Sequence, residues 1–425
     1  MSTLPYLPAT SACGYQIPPR AVPRADRLSL LLLGGYMFFL PMQIASSVVN
    51  FAPSDIFLVL WVIAEAGQFR IRPKIWSGWH TALVAMFWMG TCISLFDRGN
   101  FSTFIVAKLL GTAAMLLAYF ALASSVDTWD AMRFLLRIFI AATVLHCLLA
   151  LCAYFARINE SWLNYGGIRV SGMLLDPNAF GGIVVAALLL HGITFGSGRP
   201  LIRGWSGIFC GLVLALALLL TFSRSAWISC GFGLIALALF RPRLVGIFVL
   251  TAALAVGSAF LMLGDRSSSA FKLADRPRTT EQRLIQFSDA LPLFVQSPVV
   301  GLGLGGFDDA ERNNPTVDHP YYIHNTSLWI LTEFGLIGAG IFLGLLVWVV
   351  RAGVSILRGL ANPEAALVVG LICVHAAMFG LSTGIEAFYQ RHWWMAMGLI
   401  AAARAICLER REAPATPARR AASAF

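Results

Sequence analysis

Apolar runs about as long as a bilayer is thick recur along the 425-residue chain. A helix needs about 20 predominantly apolar residues to cross a membrane. Hydrophobic residues make up 58% of the chain and charged residues only 12%, whereas a soluble domain carries about 25% charged residues. These features exclude a soluble globular protein and predict an all-α polytopic integral membrane protein.

We predict about twelve transmembrane helices, of which the second and the last are short. The segments are 28–49, 54–66, 79–96, 101–122, 134–155, 179–195, 205–220, 226–240, 244–263, 327–350, 365–381 and 393–405. The chain then divides into a disordered cytoplasmic tail (1–27), helices one to nine (28–263), a periplasmic loop (264–326), helices ten to twelve (327–405) and a second disordered cytoplasmic tail (406–425).

The distribution of basic residues predicts the orientation of the chain. With the N-terminus inside, the segments predicted to be cytoplasmic hold 19 of the 31 Lys and Arg residues, against five in the short outer loops. Cytoplasmic loops of membrane proteins carry this excess. We therefore expect a multi-pass membrane protein with both termini in the cytoplasm. The same topology accounts for the net charge of +10 without nucleic-acid binding.

The cysteine and histidine spacings argue against a structural metal or a disulfide framework. Most of the eight cysteines lie in or beside apolar segments, and no CxxC motif occurs. His319 and His324 are five residues apart, which is not the spacing of two zinc ligands on one helix face. We predict no metal and no other cofactor.

The longest polar interval contains a predicted amphipathic helix over 279–295. Thr279 and Gln282 fit a capping box at its start, and apolar residues recur at helical spacing after them. Arg283 would lie in the first turn, where the helix dipole does not favour a cation. A bound anion would explain it, and so would a solvated arginine.

The segment Gly301-Leu-Gly303-Leu-Gly305-Gly306 formally matches a dinucleotide-binding motif. That motif requires a preceding strand and a following helix in a βαβ unit, and this segment lies in a predicted outer loop. A glycine-rich turn is the better interpretation.

Two further polar positions mark predicted helix starts on the outer side. Asp176 as an N-cap, with Pro177 at the first helical position, predicts the beginning of the sixth span. The free N–H groups of such a terminus can also hold an anion. Arg224 occupies a tight turn between two apolar runs, and a snorkelling arginine would fit there equally well.

His324 and Glu333 lie at the beginning and inside of the tenth span. A histidine can titrate near neutral pH and accept a proton from a hydroxyl, although a structural histidine fits as well. A carboxylate at membrane depth is costly and needs a partner, so Glu333 has a structural interpretation too.

The charge-based topology, which uses no motif, places Arg169, Arg224, Arg283 and His324 together on the outer face. Three arginines can neutralise a diphosphate through charge-assisted hydrogen bonds, and one histidine can activate a hydroxyl. This set suits group transfer from a lipid-diphosphate donor, because the diphosphate is then the leaving group.

The chain resembles the bacterial O-antigen ligase / O-antigen polymerase superfamily over about residues 165–340. The resemblance is carried by Arg169-Val-Ser-Gly-Met-Leu-Leu-Asp-Pro-Asn-Ala-Phe-Gly181, by Phe222-Ser-Arg-Ser-Ala226, by Arg283 followed by Ser297-Pro-Val-Val-Gly-Leu-Gly-Leu-Gly305, and by His324-Asn-Thr-Ser-Leu-Trp-Ile-Leu-Thr-Glu-Phe-Gly335. The last block is the most specific. Ligases, which attach finished chains to lipid A–core, and polymerases, which join repeat units, do not separate by these motifs.

The resemblance implies a metal-independent inner-membrane glycosyltransferase with a GT-C-like fold. Its donor would be an undecaprenyl-diphosphate-linked glycan, and its acceptor lipid A–core or a lipid-linked glycan. His324 would activate the acceptor hydroxyl, while Arg169 and Arg283, and less securely Arg224, would bind the diphosphate. The supporting residues we predict are Asp176, Asn178, Asn325 and Glu333.

Two other classes of function stay open. Arginines facing a cavity would also serve a transporter or channel for an anionic solute. Such a protein would carry polar residues in the middle of several spans and broken helices in paired halves, but Lys108 and Glu333 are the main mid-span charges. The third class is a non-catalytic subunit of a polysaccharide assembly complex.

Overall fold

The computed structural model describes residues 24–44, 52–66, 75–98, 103–158, 164–165, 169–263, 277–313 and 323–412. The two predicted disordered tails fall almost entirely outside these residues. His319 also lies outside them.

Within the described residues, an α-helix lies at each of the twelve predicted segments, and α10 and α11 lie in the long polar loop. The helices are α1 (Arg24–Phe39), α2 (Pro53–Glu65), α3 (Gly78–Arg98), α4 (Thr103–Ser125), α5 (Trp129–Phe155), α6 (Pro177–Phe195), α7 (Gly204–Leu220), α8 (Arg224–Phe240), α9 (Pro242–Leu263), α10 (Pro277–Gln296), α11 (Gly306–Arg312), α12 (Thr326–Leu357), α13 (Asn362–Leu381) and α14 (Arg391–Glu412).

The all-α membrane class is confirmed. Six helices in the described part of the chain are long and apolar enough to cross a membrane, namely α3, α4, α5, α6, α12 and α13. Helices α7 and α8 are apolar but only 17 residues long. A count of twelve crossings therefore stays a prediction.

The first predicted segment is too long. Helix α1 ends at Phe39, whereas the apolar run continues to residue 49. Pro41 follows closely, and the residue before a proline is disfavoured in helical geometry. Apolar content alone gave no sign of this end.

Helices α6 and α13 form the centre of the bundle. In the most apolar 18-residue stretch of each, 83% and 78% of the residues are buried. Both helices pack against α8, and small residues allow the close approach that membrane helices favour. A Cβ on Gly181 of α6 would lie only 2.4 Å from the Cβ of Ala226 of α8. This contact brings the first turn of α6 against the first turn of α8.

A short antiparallel ribbon precedes α6. Strand β1 (Asn164–Tyr165) pairs with β2 (Arg169–Val170), with Tyr165 opposite Arg169. A 3₁₀ turn over Gly172–Leu174 then leads to the start of α6. Arg169 is thereby fixed close to the N-terminus of a central helix.

Helix α12 is broken at Gly335, whose φ of 62° and ψ of −161° are not helical. The glycine-rich turn fills the break and has positive φ at Gly301, Gly303 and Gly305. Four hydrogen bonds join the two segments: Leu302 N to Thr332 O (3.0 Å), Gly303 N to Glu333 O (3.0 Å), Leu336 N to Pro298 O (2.9 Å) and Ile337 N to Val299 O (3.1 Å). The predicted glycine-rich turn is confirmed, and its backbone satisfies groups that the break leaves unpaired.

The predicted amphipathic helix is present as α10, but two details of the prediction are wrong. The helix begins at Pro277, so Thr279 lies within it and cannot cap it. Pro277 is well suited to a first helical position because its φ is already fixed. Arg283 is then the seventh residue, beyond the first turn, so the helix dipole no longer argues for an anion there.

We expect Gly335→Ala to destabilise the protein by at least about 2 kcal/mol, since the positive φ strains any side chain. The new Cβ would also lie 2.4 Å from the carbonyl oxygen of Val299. Gly340→Ala on the same helix is the matched control, because its Cβ would meet nothing within 4 Å. Thermal unfolding in detergent compares the two, and equal stabilities would contradict the role assigned to the break.

Candidate functional site

Three helix N-termini meet at the candidate site, and each carries a side-chain cap. The caps are Asp176 Oδ1 on Asn178 N at 2.9 Å for α6, Ser223 Oγ on Ala226 N at 3.1 Å for α8, and Asn325 Oδ1 on Leu328 N at 3.0 Å for α12. The predicted cap at Asp176 is confirmed. Helix N-termini carry partial positive charge and favour anions.

Asn178 joins the first two of these termini. Its Oδ1 accepts hydrogen bonds from Ser223 Oγ (2.7 Å) and from Arg169 Nη2 (3.3 Å). Its Nδ2 donates to Asp176 Oδ1 at 2.9 Å. The side chain therefore fixes the start of α6 relative to the start of α8.

Arg169 is buried, with 7% of its surface exposed. Besides its bond to Asn178, its Nε donates to the carbonyl oxygen of Thr221 at 2.8 Å. These contacts tie β2 to α6 and to the turn between α7 and α8. They give Arg169 a clear positioning role, and its role in binding diphosphate stays a prediction.

Arg283 connects three elements. Its Nη2 donates to Ser225 Oγ on α8 and to the carbonyl oxygen of Gly384, both at 3.1 Å. Burial, followed by the neighbouring cation Arg224, lowers the pKa of Arg283, while the carboxylate of Asp176 raises it. Arginine stays protonated in proteins, so two half-buried cations lie beside two capped helix N-termini.

His324 directly precedes the cap of α12, and its side chain is exposed. Its backbone N donates to Oε1 of the buried Gln286 at 3.1 Å, which holds it against α10. The protein atoms packed around the ring lower the pKa of His324; Arg283 lowers it further, whereas Asp176 and Glu386 raise it. A neutral, accessible imidazole can accept a proton, and the nearby cations can hold an anion.

Glu333 belongs to a second group of charged residues. Its carboxylate is buried in α12 and accepts a hydrogen bond from Trp329 Nε1 at 2.8 Å. It lines a small cavity together with Lys108 and Glu386. The partner that a membrane-depth carboxylate requires is therefore present, and the predicted supporting role stays a prediction.

Four residues of the site were not identified from the sequence: Ser225, Gln286, Gly384 and Glu386. Gln286 lies on the predicted amphipathic helix, three residues after Arg283, and this spacing was a usable signal. Gly384 and Glu386 follow α13 in a segment with no recognisable motif.

Part of the chain is similar to a known protein family. Residues 209–343 match the family model described as O-antigen ligase. This segment belongs to the O-antigen ligase-related superfamily. The resemblance inferred from the motifs is therefore confirmed. No curated protein matches the chain.

The O-antigen ligase match covers part of the candidate site. It contains Arg224, Arg283, His324 and Glu333 but not Arg169, Asp176 or Asn178. The hydrogen bond between Asn178 and Ser223 joins the matched segment to the start of α6. The O-antigen ligase-related part of the candidate site is therefore residues 209–343, and the rest of the site is packed against it.

We expect charge substitutions around His324 to move its pKa in opposite directions. Arg283→Gln removes a cation that lowers the pKa of His324, so that pKa should rise. Asp176→Asn removes an anion that raises it, so that pKa should fall, while Asn still caps α6. NMR titration of histidine-labelled protein measures both, with His324→Gln assigning the resonance among the seven histidines. Shifts of the same sign in both variants would contradict this electrostatic account.

Proposed function

We propose that the protein is an inner-membrane glycosyltransferase of surface polysaccharide assembly. It transfers a glycan from an undecaprenyl-diphosphate donor to an acceptor sugar hydroxyl on the periplasmic side, as an O-antigen ligase or polymerase. The observation that carries this proposal is the approach of Arg224, Arg283 and His324 at converging helix N-termini. The O-antigen ligase match supports the same class of reaction.

The donor diphosphate lies against the cations in this proposal. Arg283 and Arg224 pair with the phosphate oxygens, and the N-termini of α6 and α8 add their partial positive charge. Arg169 holds Asn178 and the turn that precedes Arg224. Binding the departing charge is the largest contribution that such a site makes to the rate.

Transfer then needs one base. Neutral His324 takes the proton of the acceptor hydroxyl, and the acceptor oxygen attacks the anomeric carbon with inversion. The bond from that carbon to the phosphate oxygen breaks, and undecaprenyl diphosphate leaves with the electron pair. The His324 proton afterwards passes to solvent, because the side chain is exposed.

The surface of α10 supports access for a lipid-linked donor. One face is buried through Gln286 and Ala290, and the other exposes Leu284, Phe287 and Leu291. An amphipathic helix of this kind suits the membrane interface. Arg283 lies between the two faces, so a diphosphate at headgroup level can reach it while the lipid tail stays in the bilayer.

The first experiment is deletion of the gene in its host, followed by gels of surface glycans and lipid-linked glycans. Long undecaprenyl-linked chains beside bare lipid A–core would indicate a ligase. Single repeat units without long chains would indicate a polymerase. Unchanged glycans in a host without a second copy would contradict the proposal and favour the anion transporter.

We expect genes encoding His324→Ala or Arg283→Ala to fail in restoring the deletion strain. Removing a general base lowers such rates by about 100-fold or more. Arg243→Ala is the matched control, since this exposed arginine begins α9 on the side predicted to be cytoplasmic. Full restoration by His324→Ala protein, at normal membrane levels, would remove the proposed base.

The pH dependence of transfer has a definite sign. His324 acts as a base only when neutral, and its pKa is lowered from the ordinary value of about 6.5. Activity should therefore be near its maximum at about pH 6.5 and fall only at lower pH. Transfer rates in membranes across this range provide the measurement, and a loss of activity centred above about pH 6.5 would contradict the assignment.

A further inference from the structure

A second carboxylate, Glu386, lies in the segment between α13 and α14, which is bound to the first turn of α12 just after His324. Thr326, two residues after His324, donates from Oγ1 to the carbonyl oxygen of Ile385 at 3.2 Å. The same Oγ1 accepts from the backbone N of Ala387 at 2.8 Å. The two residues that flank Glu386 are thus both bound to the first turn of α12.

The side chain of Glu386 is also held. It forms an ion pair with Lys108 of α4, and 22% and 13% of the two side chains are exposed. The ammonium of Lys108 lies 5.1, 5.0 and 4.7 Å from the ring centroids of Phe104, Trp329 and Tyr389. Cation–π contacts of this kind restrict the ammonium, and the carboxylate with it.

Three charged groups from three elements influence His324: Asp176 before α6, Arg283 on α10 and Glu386 after α13. Asp176 is engaged by the backbone and side chain of Asn178 as the cap of α6. Glu386 is engaged by Lys108. The two carboxylates oppose the effect of Arg283 on the imidazole.

We propose that Glu386, held by Lys108, is a positioning residue that supplies the negative counter-charge for His324 when it takes the acceptor proton. This inference rests on the proposed function. The proton moves from the acceptor oxygen to the imidazole, and the resulting imidazolium is stabilised by the nearby carboxylate. Neither Lys108 nor Glu386 lies in the segment that matches O-antigen ligase, so the pair is a feature of this chain outside that match.

The test combines an NMR titration of His324 with the transfer rate. Glu386→Gln should lower the pKa of His324, because an anion that raises it is gone. The matched control is Glu364→Gln, since Glu364 pairs with Arg133 at the opposite end of α13. An unchanged His324 titration in Glu386→Gln protein would overturn the proposal.

Transfer is measured with lipid-linked glycan extracted from the deletion strain, using lipid A–core or a second lipid-linked unit as acceptor. We expect Glu386→Gln to lower kcat about tenfold while KM stays within about twofold. Glu386→Asp should restore part of the rate, since it returns a carboxylate.

A double variant separates this role from packing. Lys108→Met with Glu386→Met replaces the largely buried pair by apolar side chains, a change that is often neutral for stability. We expect wild-type thermal stability but a low kcat. Recovery of the wild-type kcat would overturn the proposal, because the pair would then be only a structural contact.

If His324→Ala protein is inactive and Glu386→Gln protein is fully active, this inference alone fails. If His324→Ala protein is active, the proposed function fails with it.

Discussion

The guanidinium of Arg283 is the interaction on which the candidate site depends. Its two hydrogen bonds, to Ser225 Oγ and to the carbonyl oxygen of Gly384, join α10 to α8 and to the segment after α13. Hydrogen bonds from a charged donor are about twice as strong as neutral ones. Gln286, one turn further along α10, binds the backbone of His324. One helix of the polar loop thus aligns the proposed base with the proposed anion site.

Polar backbone groups in a membrane protein must be paired, and this requirement shapes the break in α12. The glycine-rich turn enters that break and binds the groups around Gly335. Glycines are needed there because a Cβ on Gly301 would lie 2.3 Å from the backbone of Glu333. An irregular segment inside a membrane span is tolerated only where protein surrounds it.

Charge balance around His324 gives the site its proposed chemistry. Arg283 and desolvation favour the neutral imidazole, which can accept a proton, whereas Asp176 and Glu386 favour the imidazolium that forms next. Under these opposing influences on its pKa, the neutral imidazole can accept a proton, and the imidazolium that results is stabilised by the carboxylates. Arg283, which we propose binds the donor diphosphate, therefore also acts on the proposed base.

The sequence alone determined the membrane class, the positions of the twelve apolar helices, the cap at Asp176 and the O-antigen ligase resemblance. These features depend on local composition, spacing and motif, which the chain carries within a few neighbouring residues. Only the tertiary structure decided that Arg169 is buried against Thr221, that Arg283 lies beyond the first turn of α10, and that Glu386 pairs with Lys108. Such contacts join residues far apart in the chain. The packing of whole helices determines these contacts, so no pattern within a short stretch of sequence predicts them.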